Sequence, residues 1–137
     1  MSSGATPEEI AGLALEAISD RDADRLLPLL APGVSIRTMR GTHEGADAVL
    51  AWMRKGYDHL DKRYVLQQPE LESPAGDGPM LFSARVEYVW RETGEVGDST
   101  PIFIVLEICG GLLLRLEFYE TREEATRALD ALSLIHI

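Results

Sequence analysis

A chain of 137 residues suits a single domain, and its hydrophobic fraction of 45% and charged fraction of 26% are typical of a globular protein. The formal net charge of -10 argues against nucleic acid or an anionic membrane as a partner, because both bind to basic protein surfaces. Cys109 is the only cysteine, so no intramolecular disulfide is possible.

The N-terminal sequence predicts neither a signal peptide nor a membrane anchor. "MSSGATPEEI" lacks a basic start and an apolar run, and no apolar stretch reaches the roughly 18 residues of a spanning helix. We therefore expect a cytoplasmic protein. The predicted organisation is a disordered N-terminus at residues 1–5, one domain at residues 6–132 and a C-terminal tail at residues 133–137.

The first half of the chain is predicted to be mostly helical. "TPEEIAGLALEAIS" opens with a capping box, in which Thr6 is the N-cap, Pro7 the first helical residue and Glu9 the reciprocal partner. A short second helix is predicted in "DRDADRLLPLLAPG" and a strand in "VSIRTM". "GTHEG" is typical of a turn, and "ADAVLAWMRKGYDHL" keeps the apolar spacing of a third helix.

The second half is predicted to be mostly β-strand. Runs of β-forming residues between glycine and proline turns predict strands in "KRYVLQQPELES", "MLFSARVEYVWRET", "STPIFIVLEI" and "LLLRLEFYE". A last helix, "TREEATRALDAL", opens with a second capping box. Helices gathered before strands predict an α+β protein, with helices packed on one face of a curled antiparallel sheet.

One predicted strand, "PIFIVLEI", is apolar on both faces. Ile102 and Ile104 lie on one side, and Phe103 and Val105 lie on the other. Strands of this kind are covered on both faces. Because the few helices of this chain would cover one face of a curled sheet, we predict a homodimer in which a second copy covers the outer face.

The segments "ALEAISDRDADRLLPLLAPGVSIRT", "GTHEGADAVLAWM" and "CGGLLLRLEFYETREEATRAL" resemble the nuclear transport factor 2-like superfamily, particularly its SnoaL-like branch. With the strands between them, the similarity covers residues 6–132. The resemblance implies a cystatin-like α+β barrel, in which the sheet wraps around a cone-shaped cavity that the helices close. Function does not follow from this fold, since it hosts isomerases, cyclases, epoxide hydrolases and proteins without catalysis.

The residues do not fit the ketosteroid isomerase-like members of this superfamily. Those proteins place a carboxylate base on the first strand, and an acid and a tyrosine at an oxyanion hole. Thr38, Ile104 and Ala14 fall at these three positions. None of them can perform that chemistry.

A partial resemblance to limonene epoxide hydrolase-like proteins supplies the candidate catalytic residues. That family carries an arginine and an aspartate two residues apart on an inner strand, and a second aspartate on the last strand. Arg85, Glu87 and Glu117 fall at those places, with glutamate for aspartate twice. The resemblance implies cofactor-free acid–base chemistry, in which one carboxylate takes a proton from water, the other donates a proton, and Arg85 orients both.

If this interpretation holds, the strand face with Arg85 and Glu87 looks into the cone, and Val86 and Tyr88 face a partner subunit. The predicted ligand contacts are Arg37, Trp52, Val89, Val105, Arg115 and Tyr119. The alternative is that Arg85, Glu87 and Glu117 form cross-strand ion pairs on a solvated sheet face.

No metal or cofactor is predicted. His43 has no His, Cys or carboxylate at ligand spacing, and no glycine-rich loop lies between a strand and a helix. The expected partners are a small organic molecule and a second copy of the chain. Two functions stay open: an acid–base enzyme of the epoxide hydrolase, cyclase or isomerase type, and a non-catalytic ligand-binding or dimeric interaction module.

Overall fold

The computed structural model describes residues 6–55, 60–71 and 78–135. The helices in these segments are α1 (Pro7–Ser19), α2 (Ala23–Leu26), α3 (Ala46–Arg54) and α4 (Arg122–Ile135). The strands are β1 (Leu30–Thr38), β2 (Gly41–Glu44), β3 (Leu60–Leu71), β4 (Gly78–Trp90), β5 (Val96–Cys109) and β6 (Leu112–Tyr119). A 3-10 turn at Leu27–Leu29 joins α2 to β1. No helix in these segments combines the length and the apolarity that crossing a membrane requires.

Local signals place most of these elements where the sequence predicts them. The Thr6 hydroxyl accepts a hydrogen bond from the Glu9 amide, and the Glu9 carboxylate accepts one from the Thr6 amide, both at 3.1 Å. The predicted capping box is therefore confirmed. α4 continues past residue 132 into the predicted tail, and the predicted disordered residues 1–5 lie outside the described residues.

Two elements differ from the prediction. "GTHEG" is the strand β2 rather than a turn, because β1 turns back at Thr38 and pairs with it from Ser35 to Thr38. This pairing comes from the hairpin and has no signal in the polar sequence of β2. α3 ends at Arg54, and Lys55 is already extended, so the helix is shorter than predicted. The end of that predicted helix includes residues 56–59, which lie outside the described residues.

The six strands form one open sheet in the order β2-β1-β6-β5-β4-β3. All neighbouring strands are antiparallel except β1 and β6, which run parallel. The sheet is therefore mixed and not wholly antiparallel as predicted. No hairpin joins β1 to β6, so no local sequence signal fixes their relative direction. The predicted α+β class, with a curled sheet on helices, is confirmed.

The sheet has two covered faces, which we call the inner and the outer face. The inner face packs on α1, α2 and α3 and contributes the larger part of the core: Phe82, Ala84 and Val86 from β4, and Ile102, Ile104 and Leu106 from β5. The outer face packs on α4 through a smaller apolar cluster. This cluster contains Leu81, Phe103, Val105, Tyr119, Ala125, Leu129 and Leu132.

The apolar part of the outer face is thus covered from within the same chain. Phe103 and Val105, which suggested a second copy of the chain, pack against α4 instead. The packing of α4 on the outer face was not predicted, because all the helices were expected on one side of the sheet. The homodimer stays a prediction, but the doubly apolar strand is accounted for without it.

Candidate functional site

A cavity of about 780 Å³ lies between the inner face of the sheet and helices α1 and α3. Its deeper lining includes Ile18 from α1, Val86 from β4 and Ile102 from β5, all of them buried. Exposed residues such as Met39 and Lys55 also line it, so the cavity opens to solvent. Its volume lies within the range of about 300–1,000 Å³ that is usual for small-molecule sites.

Aromatic rings from four elements form one wall of this cavity. The ring of Tyr64 on β3 stacks on that of Phe118 on β6 with a centroid distance of 5.0 Å. Phe118 lies 6.3 Å from the ring of Trp52 on α3, and Trp52 lies 6.0 Å from the imidazole of His43 on β2. These distances fall in the range of about 4.5–7 Å at which aromatic rings attract one another. The four rings are neighbours in series, and all four residues line the cavity.

The same cavity carries an excess of positive charge. Its lining includes Arg21, Arg40, Lys55 and Lys62, whereas Glu120 is the one carboxylate among the described lining residues. The Lys62 ammonium lies 5.9 Å from the centroid of the Tyr88 ring, within the reach of a cation–π interaction. This local charge is opposite in sign to the net charge of the whole protein, which is -10.

Arg21 links the end of α1 to the edge strand β3. Its backbone is left-handed, with φ of 53°, a conformation that costs a non-glycine residue about 1–2 kcal/mol. Its guanidinium donates a hydrogen bond of 2.9 Å to the carboxylate of Asp61, which also pairs with Arg91 at 3.0 Å. Asp61 therefore offsets part of the positive charge that Arg21 brings to the cavity.

The predicted catalytic residues Arg85 and Glu87 lie on the outer face of β4. Glu87 accepts hydrogen bonds of 2.8 and 2.6 Å from Arg63, its cross-strand neighbour on β3. Arg85 donates to the hydroxyl and to the carbonyl oxygen of Ser99, at 2.7 and 2.9 Å. The Glu87–Arg63 pair matches the alternative interpretation of cross-strand ion pairs, whereas Arg85 contacts Ser99, which carries no charge.

Arg85 and Glu87 therefore do not face the cavity, which is the orientation that their predicted catalytic role required. Val86 and Tyr88, which were expected to face a partner subunit, line the cavity instead. Alternation along a strand separates two faces but does not identify the buried one. In this protein the apolar face of β4 is buried against the helices. The charged side chains lie on the other face, where forming an ion pair removes less water from the charged groups.

Glu117 does not meet Arg85 either. On β5, Glu117 lies opposite Val105 and Arg85 lies opposite Pro101, so about 13 Å of strand separates the two positions. Glu117 instead accepts a hydrogen bond of 2.6 Å from the Tyr119 hydroxyl, and its carboxylate lies 3.6 Å from Arg115. The three predicted catalytic residues thus do not converge on one site.

Tyr119 and Glu117 belong to a polar cluster on the outer face. Arg115 lies between two carboxylates, with 3.5 Å from its Nε to Glu107, a residue only 3% exposed. The guanidinium of Arg37 lies 4.4 Å above the Tyr119 ring. Burial, followed by the hydrogen bond to Glu117, raises the pKa of Tyr119 well above its usual value. This cluster is a largely buried group of polar side chains on the outer face, beside α4.

Of the predicted ligand contacts, Trp52 lines the cavity. The other five do not line it: Arg37, Val89, Val105, Arg115 and Tyr119. Val105 and Tyr119 pack beneath α4, and Arg37 and Arg115 belong to the outer polar cluster. These five residues share the face of the sheet that carries Arg85 and Glu87, away from the cavity. Among the described residues, no group of three or more His, Cys, Asp or Glu side chains could hold a metal ion.

Sequence reasoning missed most of the residues that do line the cavity. Lys62 and Tyr64 alternate with exposed residues on β3, which is a signal for a shared face but not for a pocket. His43 was predicted to lie in a loop, and its place on β2 brings it beside Trp52. Arg21 is about 40 residues away from Lys62 in the chain, and only the fold brings both to one cavity.

No protein-family model and no curated protein matches the sequence. Solved structures do match it. A Burkholderia pseudomallei protein of unknown function, described as NTF2-like, has a TM-score of 0.65 at 20% identity over 89% of this chain and 95% of that chain. The chain has the nuclear transport factor 2-like fold. The fold that the resemblance implied is therefore confirmed.

Two further structures share the nuclear transport factor 2-like fold. A candidate polyketide cyclase from Sinorhizobium meliloti has a TM-score of 0.65 at 20% identity, over 80% of this chain and 93% of that chain. A Mycobacterium tuberculosis protein in complex with estradiol-17beta-hemisuccinate has a TM-score of 0.68 at 13% identity, over 87% and 97% of the two chains. The chain therefore spans nearly the whole length of proteins with this fold.

Proposed function

We propose that this protein binds a small organic molecule in the cavity between the inner face of its sheet and helices α1 and α3. The observation that carries the proposal is a cavity of about 780 Å³ with the rings of Trp52, Tyr64 and Phe118 in its wall. Aromatic walls with a few polar groups are typical of ligand sites. The estradiol-17beta-hemisuccinate complex of a protein with the same fold supports this proposal.

Two fluorescent probes with the same rings provide a test. N-phenyl-1-naphthylamine is neutral, and 8-anilino-1-naphthalenesulfonate is the same molecule with a sulfonate. Both become brighter in apolar sites, so a titration measures their affinity. We expect saturable binding of at least one probe, with about one molecule bound per chain. Absence of saturable binding of both probes would contradict the proposal.

Two tryptophan variants show where the probe binds. Trp52→Ala removes a ring from the cavity wall and should lower the affinity about fivefold to tenfold, the equivalent of one aromatic contact of about 1–1.4 kcal/mol. Trp90→Ala is the matched control, because Trp90 lies at the end of β4, is 48% exposed and does not line the cavity. Equal effects of the two substitutions would mean that the probe binds elsewhere.

The proposal assigns binding, and it does not include acid–base catalysis by Arg85, Glu87 and Glu117. That role stays a prediction from the resemblance, and the three residues have separate partners, which are Ser99, Arg63 and Tyr119. Its test is Glu87→Gln, which should abolish turnover of an epoxide or polyketide-like substrate if Glu87 acts in catalysis. In the binding proposal, the same substitution leaves probe affinity unchanged, because the Glu87 carboxylate pairs with Arg63 on the outer face.

Self-association and cytoplasmic location also belong to the proposal. A homodimer through the outer face would use the surface of α4 or the part of the face beside it, where Arg63 pairs with Glu87. Sedimentation at micromolar concentration tests this directly. A monomeric mass would contradict the homodimer and would leave the cavity proposal unaffected.

A further inference from the structure

We infer that the molecule bound in this cavity is an organic anion with an aromatic or other apolar body. The inference rests on the proposed function, because it names the chemical class of the ligand at the same site. Its basis is the arrangement of positive charge around an aromatic wall. Neither feature follows from the fold, since both depend on the side chains of this chain.

The first observation is where the protein places its basic residues. The sequence has 13 Lys and Arg against 23 Asp and Glu, yet four of the basic residues line one cavity. Among the described lining residues, Arg21, Arg40, Lys55 and Lys62 are basic and Glu120 is the one carboxylate, while Asp61 pairs with Arg21 beside the cavity.

The second observation is that charge and rings occupy different parts of the cavity. Arg40 and Lys55 are exposed, so they lie at the mouth, whereas Phe118 is buried at the wall. Lys62 and Tyr64 are two residues apart on one face of β3, which separates their backbones by about 7 Å. A ligand whose rings pack on Tyr64 and Phe118 would carry its charged group a similar distance away, near Lys62.

The sign of the local charge selects between ligand classes. An anion entering the cavity gains attraction from the lining cations, which low-dielectric walls focus. A cation would be repelled, and a neutral molecule would gain none of this attraction. The remaining surface of an acidic protein repels anions, so the cavity is the part of the molecule to which an organic anion is directed.

The two matched probes measure this preference. At low ionic strength we expect 8-anilino-1-naphthalenesulfonate to bind about tenfold more tightly than N-phenyl-1-naphthylamine. In about 0.5 M salt the ratio of the two affinities should fall toward one, because salt screens the attraction between the sulfonate and the lining cations. Lys62→Gln should weaken binding of the sulfonate about threefold to tenfold and leave the neutral probe unchanged, and Lys62→Arg should retain the wild-type preference.

Arg127→Gln is the control for net charge. It removes the same charge from α4, where Arg127 pairs with Glu123 on the outer side of the sheet. We expect it to change the affinity of the sulfonate less than twofold. Thermal denaturation of each variant verifies that the fold is retained.

The outcomes separate this inference from the proposed function. Equal binding of the two probes at low salt would overturn the inference and leave the cavity proposal standing. Equal losses for Lys62→Gln and Arg127→Gln would also overturn it, because the preference would then be a property of overall charge. Saturable binding of neither probe would overturn both. A preference for the sulfonate that depends on Lys62 supports the inference.

Discussion

Phe118→Ala tests whether β6 presents Phe118 to the inner face. The Phe118 side chain is 3% exposed and contacts the rings of Tyr64 and Trp52. Truncation of a buried phenylalanine costs about 3–5 kcal/mol through lost transfer free energy and the space left behind. We expect about 3 kcal/mol here, because Phe118 borders an existing cavity and its neighbours can relax into the new space. For a domain of this length, that loss lowers Tm by roughly 10–15 °C.

Urea denaturation measures this loss, with tryptophan fluorescence as the signal and an unchanged m-value as evidence of two-state unfolding. Phe103→Ala is the matched control on the outer face, where Phe103 is half-buried beneath the Arg122 guanidinium at 5.1 Å. We expect the control to lose about 1–2 kcal/mol. A loss below about 1 kcal/mol for Phe118→Ala would mean that the ring is not buried, and the assignment of the inner face would be refuted.

Three further stability measurements follow. Tyr119→Phe should cost about 1–2 kcal/mol at neutral pH by removing the hydrogen bond to Glu117. The folded protein raises the pKa of Tyr119, so the stability that this tyrosine contributes is complete below pH 10, about the usual tyrosine pKa, and is lost as the pH rises further. The difference in the free energy of unfolding between wild type and Tyr119→Phe should therefore narrow in alkali. A difference that stays constant with pH would contradict this. Gly111→Ala should cost about 1 kcal/mol because its φ is 80°, whereas Gly33→Ala, with open space and no positive φ, should cost almost nothing. Thr6→Ala should lower the free energy of unfolding by about 1 kcal/mol through loss of the capping box, and an unchanged value would mean that α1 frays.

Local sequence signals were sufficient for most of the secondary structure. Capping residues and glycine turns act within a few residues, so Thr6 marks the start of α1, and Gly110 and Gly111 mark the turn between β5 and β6. β2 had no such signal, because its pairing with β1 depends on the hairpin and not on its own residues. The parallel pairing of β1 with β6 is equally non-local.

The faces of the sheet could not be assigned from alternation alone. The side chains of Val86 and Arg85 point to opposite faces of β4. The sequence is compatible with either of these faces packing on the helices. The apolar stripe of α4, with Ala125, Leu129 and Leu132 at helical spacing, showed that this helix packs on a partner. It did not show that the partner is the outer face of β5.

The candidate site was the least predictable part of the molecule. Its residues come from α1, α3 and the strands of the sheet, and no spacing in the sequence connects Arg21 with Lys62 or Trp52 with Phe118. The resemblance implied that a cavity exists, and Trp52 is the one predicted ligand contact that lines the cavity in the structure. The charge of the lining became visible only when the fold brought the four basic residues together.

The central claim is that an organic molecule binds against the aromatic wall of the cavity, and a crystal structure with 8-anilino-1-naphthalenesulfonate tests it most directly. We predict that the probe rings contact Trp52, Tyr64 and Phe118, with the sulfonate directed toward Lys62 at the mouth. A probe bound on the outer face, beside Arg85 or Glu117, with the cavity unoccupied, would contradict the account.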